Sequence, residues 1–346
     1  MKTGDEKMNS GGKPEPGLGN NVGLDAEVLA HDVADIHGLS IVARTQGQLV
    51  RRRFFRHRAA MTSLTILILL ILLTYTSIGF AGIPGWWPYD YQTPGLKVNG
   101  GAPTLSVVPT WFGGGGLHLG HHPFGQDDLG RDYFALTMRG AQISIMIAFV
   151  VGLVSTMLGT VIGALAGYFR GWVEAALMRF TDMMITIPLL VIAAVVGQLI
   201  NGGPLILAIL LGLLTWTGLA RLVRGEFLSL REKEFVESAR ALGASPRRII
   251  FRHIMPNTVG IITVSATLTI AGAILLETAL SYLGFGVHAP DTSLGLLISD
   301  NQAAFSTRPW LFWWPGLFII IVALTVNFIG DGLRDAFDPR QNRGRA

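Results

Sequence analysis

ISIMIAFVVGLVSTMLGTVIGALA, residues 143–166, carries no charged side chain over a length that crosses the hydrocarbon core of a bilayer as a helix. A helix apolar on every side has no face to offer water, so the stretch reads as a membrane span. Gly159 and Gly163, continued by Gly167, recur every four residues and share one helix face, where a neighbouring backbone can approach closely. Five more windows of this kind lie at 59–78, 183–200, 204–219, 259–283 and 310–329. Pro188 falls inside the third of the six; a span tolerates it because neighbouring groups take up the freed carbonyl. The short Asn201-Gly202-Gly203 turn makes the third and fourth windows a hairpin, and Trp310, Trp313 and Trp314 open the last one with rings suited to the membrane interface. The expected fold is an all-α integral membrane protein with six transmembrane helices.

Composition agrees with that reading and removes several function classes. Of 346 residues 50% are hydrophobic and 14% charged, against roughly a quarter charged in soluble domains; the mean hydropathy is +0.47. With no cysteine the chain has no disulfide, thiolate zinc site or cysteine nucleophile, and a net charge of +4 does not point to nucleic acid as a partner. Placing the N-terminus inside leaves all but four basic residues (Lys97, Arg131, Arg139 and Arg308) in cytoplasmic segments, so both termini are expected in the cytoplasm. Arg51, Arg52, Arg53, Arg56 and Arg58 anchor the first span, and the 58 residues ahead of it exclude a cleaved signal peptide.

The expected organisation follows. Residues 1–45 form a cytoplasmic, largely disordered extension, with weak amphipathicity over 24–39; 46–80 are a surface helix and the first span; 81–141 are an extracytoplasmic segment with the Gly113 to Gly116 run. Residues 142–330 are a five-helix core, and 331–346 a cytoplasmic tail. Inside the core, the loop 221–257 has eight basic and four acidic residues and reads as helix, break, helix. SLREKEFVESARAL puts Phe235, Ala239 and Leu242 on one stripe, Gly243 stops the helix, Ser245 caps the next and Pro246 takes its first position; Ile250 and Ile254 lie one turn apart. Charge pattern alone equally allows a solvated loop.

Catalytic chemistry is not supported. The only Gly-Lys step, Gly12-Lys13, precedes Pro14, so no nucleotide-binding loop is present, and no nucleophile elbow or HExxH helix occurs. His118, His121 and His122 lack a thiolate or second carboxylate at ligand spacing, and solvated or hydrogen-bonded rings are the expectation over a metal site. Glu277 is the one ionisable side chain well inside a span; an interhelical hydrogen-bonded contact and a lumen role both fit it. One buried carboxylate without broken helices in matching halves is thin support for an ion-coupled secondary transporter.

Several stretches together resemble one family. EFVESARALGASPRRIIFRHIMPN (234–257) resembles the EAA loop of inner-membrane permeases of ATP-binding-cassette importers, with Glu237 and Ala239 in the acidic-Ala-Ala box, Gly243 four residues on and Pro256 closing it. Ser238 and Met255 depart from the commonest letters. HPFGQDDLGRD (122–132), GYFRGW (167–172), ETALSYLGFGV (277–287) and NFIGDGLRDAFDPR (327–340) are similar to the C-type permeases of dipeptide, oligopeptide and nickel uptake. The resemblance implies a type I ABC importer permease fold, a location in the bacterial inner membrane and a non-catalytic half-transporter for di- or oligopeptides, with a nickel importer of the same architecture as the alternative. It implies a B-type permease partner, two ATPase subunits that bind ATP and Mg, and an extracytoplasmic peptide-binding protein. Glu237, Ser238, Ala239, Gly243 and Pro256 are then the expected ATPase-coupling residues. Glu277, Ser281, Tyr282 and Gly284 are candidates for pathway lining or gating, and Asp127, Asp128 and Arg131 for binding-protein contact.

Overall fold

The computed structural model describes residues 46–80, 82–106, 116, 118–199 and 203–337. The expectations for 1–45, for most of the 113–116 run, for Asn201-Gly202 and for the last nine residues lie outside these. Of the unit formed by residues 1–48 only the start of helix α1 (Gln46–Arg56) is described; the remaining elements belong to the unit 49–346.

The first span, α2 (Arg58–Ser77), is capped by His57, whose ring nitrogen accepts from the Ala60 amide at 3.1 Å. A two-residue antiparallel pair, β1 (Gly79–Phe80) with β2 (Ile83–Pro84), turns the chain into an extended segment. The second span, α3 (Tyr133–Phe169), starts ten residues before the apolar window because the Asp132 carboxylate accepts from the Ala135 amide at 2.7 Å and caps it there. Its 37 residues extend about 55 Å, well beyond a hydrocarbon core of about 30 Å. Residues 133–141, the end of the expected outer segment, are therefore helical.

The third and fourth windows depart from single straight spans. α4 (Gly171–Thr186) and α5 (Leu189–Leu199) meet at 82° at Ile187-Pro188, where proline has no amide hydrogen to continue the ladder. α6 (Gly203–Thr215) and α7 (Thr217–Arg231) meet at 44° at Trp216. A short α8 (Glu234–Ala241) leads into α9 (Pro246–Tyr282), which opens with a wide π-type stretch, Ile249–Ile254. α10 (Leu294–Asn301) is short, and α11 (Trp310–Phe337) is the last span. Four unbroken helices are long and apolar enough to cross a membrane, and counting each bent pair as one span brings the number to six.

α3 is the spine of the bundle. The glycine face expected from the sequence is the seam with α7. A Cβ on Gly159 would lie 2.9 Å from the Trp216 carbonyl oxygen, one on Gly163 2.5 Å from that of Ala220, and one on Gly167 2.6 Å from Phe227 Cβ. Only glycine lets the two backbones come this close. The main core joins Tyr133, Met138 and Ile147 of α3 with Leu211, Ile274, Leu294 and Leu311. A second core joins the far end of α3, at Tyr168, to Phe227 of α7, Val236 of α8 and Ile249, Ile250 and Ile254 of α9.

Candidate functional site

The loop between α7 and α9 is built and docked. Val236 is fully buried, and Phe227, Ile249 and Ile254 are sealed around it; burying each such side chain contributes about 1.5–3 kcal/mol, enough to hold a short segment that has little helical stability of its own. α8 ends in a Schellman turn: the Gly243 amide donates to the Arg240 carbonyl at 2.9 Å and the Ala244 amide to that of Ala239 at 3.0 Å, with Gly243 at φ +78°. Ser245 then caps the next helix, its hydroxyl accepting from the Arg248 amide at 3.4 Å, with Pro246 at the first position as expected.

The stripe read from the sequence is corrected. α7 ends at Arg231, the helix restarts at Glu234, and on this new helix Val236 with Ala239 faces inward. Phe235 and Leu242 point out, Leu242 at 88% exposure. Glu237, Ser238, Gly243 and Pro256 are also exposed, while Ala239 is buried. The docked side and the presented side of this element are thus separate, and the presented side carries an apolar residue with carboxylate and hydroxyl groups nearby.

Glu277 sits at a junction of three helices with no exposed surface. Its carboxylate accepts from the Ser144 hydroxyl of α3 at 2.8 Å and from the Ser281 hydroxyl one turn along α9 at 2.7 Å. The Ser281 oxygen also accepts from the Val287 amide at 3.1 Å and from the Ser293 hydroxyl at 3.2 Å, and Ser293 caps α10. Of the two readings open for Glu277, this geometry is the interhelical contact: each carboxylate oxygen has a donor, and nothing of it faces a surface. Tyr282 is half-exposed and donates to Gln302 at 2.7 Å; Gly284 turns the chain at φ +81° after α9. Ser144 and Ser293 were not singled out from the sequence. A serine inside an apolar run gives no signal by itself, whereas Ser293 directly before LGLL is a recognisable cap.

The outer stretch 122–132 is mostly scaffold. Asp127 is 4% exposed; its carboxylate accepts from the Leu129 and Arg131 amides at 3.0 and 2.8 Å and from the Arg131 guanidinium at 2.7 Å, which closes a turn. It is not available to a partner, and this corrects its expected place on a contact surface. Gln126 ties the turn to 96–98, accepting from the Val98 amide at 2.7 Å and donating to the Leu96 and Gly130 carbonyls. Asp132, besides capping α3, accepts from the Trp87 indole at 3.0 Å and pairs with His122 at 2.7 Å. His121 meets the Tyr89 hydroxyl at 3.1 Å, and among the described residues no group of three His, Asp or Glu is placed to hold a metal. Asp128 is the exposed acid: Arg308 reaches it at 2.6 Å and Lys97 at 3.7 Å. Burial pushes the Asp300 carboxyl of α10 above its ordinary range, opposed by the charge of Arg131, so the cap and the α10 end of the bundle feel each other electrostatically.

Comparison with known proteins follows these three places. Residues 159–343 match the family described as binding-protein-dependent transport system inner membrane component, and residues 45–100 match the N-terminal TM domain of oligopeptide transport permease C. The oligopeptide transport system permease protein OppC of Haemophilus influenzae is 37% identical over 313 residues, 90% of this chain and 94% of the relative. The protein of that name from Mycobacterium tuberculosis is 38% identical over 302 residues, 84% and 94% of the two chains. Among solved structures, a chain of the methionine ABC transporter MetNI in an inward-facing conformation is 20% identical, with a TM-score of 0.46 over 59% of this chain and 96% of that one. The chain belongs to the family of binding-protein-dependent transport system inner membrane components, and is a membrane permease component of an ATP-binding-cassette transporter.

Proposed function

We propose that this chain forms half of the translocation pathway of an ATP-driven importer of oligopeptides. The observation that carries the cargo is the near full-length likeness to relatives named oligopeptide permeases. In this reading a second, B-type permease completes the pathway, two ATPase subunits bind ATP and Mg from the cytoplasm, and an extracytoplasmic binding protein brings the peptide. Both termini are cytoplasmic, in keeping with the arginines around the first span.

α8 and the Gly243 turn are the coupling element. Leu242 enters a hydrophobic recess of an ATPase, Glu237 and Ser238 pair at its rim, and Gly243 permits the turn. The second core passes the push to α3, α7 and α9 as one rigid unit. Ser281, Tyr282, Gly284 and the buried Glu277 govern the far end of α9, Glu277 by holding α3, α9 and α10 together as the pathway opens and closes. Asp128 and Arg131, with Leu129 beside them, meet the binding protein; Asp127 shapes their turn. The chain itself catalyses no reaction.

The test is to purify the tagged chain from its own membranes and measure ATP hydrolysis with and without peptide-loaded binding protein. Co-purification of a second permease and ATPases with peptide-stimulated hydrolysis is the expected result. Stimulation by nickel alone would keep the architecture and replace the cargo, and ion-driven uptake by the chain without any ATPase would overturn the reading. Gly243→Asp in that assembly is expected to preserve recovery of the complex and abolish stimulation.

A further inference from the structure

The seam between α3 and α7 runs on past its last glycine. A Cβ on Gly167 would already meet Phe227, and the next residue of α3, Tyr168, meets the following turn of α7. There the Arg231 guanidinium donates to the Tyr168 carbonyl at 2.5 Å, and its central carbon stands 5.7 Å from the centre of the Tyr168 ring. Tyr168 is the last residue but one of α3, so its carbonyl is among the final four that have no partner within their own helix. Arg231 supplies that partner from a different helix. It is also the last residue of α7. One guanidinium thus lies at the C-terminal ends of two helices, where both dipoles favour a positive charge.

The setting is closed. Tyr168 is 8% exposed and belongs to the second core with Phe227, Val236, Ile249 and Ile254. The Nε of Arg231 is buried without a hydrogen-bond partner among the described residues, so the ring face beneath the guanidinium compensates part of its lost hydration. The earlier arginines of α7 differ: Arg221 pairs with Asp182 of α4 at 2.6 Å and Arg224 Nε lies 2.8 Å from Glu174, a clamp between partly exposed groups. Directly after Arg231 little fixes the course of the chain. Glu232 and Lys233 link α7 to α8, which starts without a side-chain cap, and Arg170 reaches Glu232 at 2.9 Å only as a half-exposed pair.

We propose that Arg231 is the positioning residue of the coupling element: by capping α3 from α7 it fixes the point from which α8 departs, so that a push on α8 moves α3 and α7 instead of bending the link at 232–233. Resting on the proposed function, this names the joint between the docked loop and the spine. The role needs a flat guanidinium, which lies over the ring while it reaches the carbonyl; an ammonium offers charge and a donor without the plane.

The chain has no cysteine, so introduced cysteines report without background from this subunit. In the purified full assembly, spin labels on M157C of α3 and R240C of α8, both at exposed positions, read how sharply α8 is set against the spine. R231A is expected to broaden this distance distribution by several ångströms before any nucleotide is added. At unchanged recovery of the complex, it is also expected to lower the peptide imported per ATP hydrolysed about fivefold. R231K is expected to recover both in part, and R221A, which loses only a pair to α4, to change neither. A distribution as narrow as that of the wild type in R231A, an unchanged ratio of import to hydrolysis, or the same loss in R221A overturns the proposal. Should R231A fail to assemble, R231Q keeps a donor for the carbonyl and loses the charge and the guanidinium plane; wild-type width and ratio in that variant overturn the proposal equally. The width needs neither cargo nor nucleotide, so a wild-type assembly that hydrolyses ATP but imports no peptide removes the cargo reading and leaves the width test standing. A wild-type chain recovered without ATPases removes the proposed function and the coupling role of Arg231 with it.

Discussion

α3 and α5 both arise from charge-free apolar windows, and they are held in opposite ways. More than half of α3's 37 residues are buried, and three of its glycines admit the α7 backbone. α5 rests on two alanines and turns branched aliphatic side chains outward. In a bilayer, hydrophobicity puts both into lipid but does not press them together; packing and polar contacts decide what is rigid. The difference teaches that a permease can keep a closely packed helix and a sparsely packed one of similar composition in one bundle, through where small residues and hydrogen-bonding groups fall.

The contrast is most exposed at the glycine seam. Gly163→Leu places side-chain atoms where Cβ alone already meets the Ala220 carbonyl at 2.5 Å and Val223 Cβ at 2.8 Å. Such overpacking costs about 3 kcal/mol or more, and the folded, monodisperse complex should be lost on size-exclusion chromatography. Val195→Leu, an enlargement on exposed α5, should change stability by less than about 0.5 kcal/mol. Equal yields for the two variants would break the comparison.

A smaller effect is expected at the polar tie between α3 and α9. Glu277→Ala leaves the Ser144 and Ser281 hydroxyls without their acceptor, a loss of about 2 kcal/mol that should lower the thermal unfolding midpoint of the detergent-solubilised complex. Glu277→Gln keeps a carbonyl acceptor and should retain most of the stability. An unchanged midpoint for the alanine variant would mean that apolar packing alone holds the spine. The smallest expected change belongs to the clamp. Arg224→Ala removes a half-exposed ion pair to Glu174 worth about 1 kcal/mol or less. Hydrogen exchange should then quicken in α4 while α3 stays protected, and equal quickening in both would merge the two regions into one.

Where the sequence was legible, a local rule governed the outcome. The six apolar windows follow from the bilayer's demand that backbone groups be satisfied within each segment. Gly159, Gly163 and Gly167 announced a close seam by spacing alone, and Ser245 with Pro246 announced a helix start. Where it misled, two segments competed. The 183–200 window hid a right-angle break, because Pro188 is tolerated in a straight span as readily as in a bent one. Phe235, Ala239 and Leu242 looked like one stripe, but Leu242 is the cap where α8 ends, and the inward pair is Val236 with Ala239. Asp127 looked like a surface acid because its two amide donors and its arginine come from its own turn, which no periodicity describes.

The sequence by itself determined that this chain lies in a membrane, which windows are apolar enough to cross it, where a helix-break-helix loop stands between them and which helix face is smooth enough for close contact. Those properties depend on hydrophobic length, glycine spacing and caps, all written within a few turns of chain. Only the tertiary structure decided that Glu277 is enclosed by serines from α3 and α9, that Asp127 folds inward while Asp128 faces out, and that α4 pairs with α7 through Arg221 and Arg224. The Glu277 contacts and the α4–α7 pairs depend on residues brought together from distant segments, and the Asp127 turn on a local geometry without periodicity, and neither a distant partner nor the shape of a turn has a letter in the sequence.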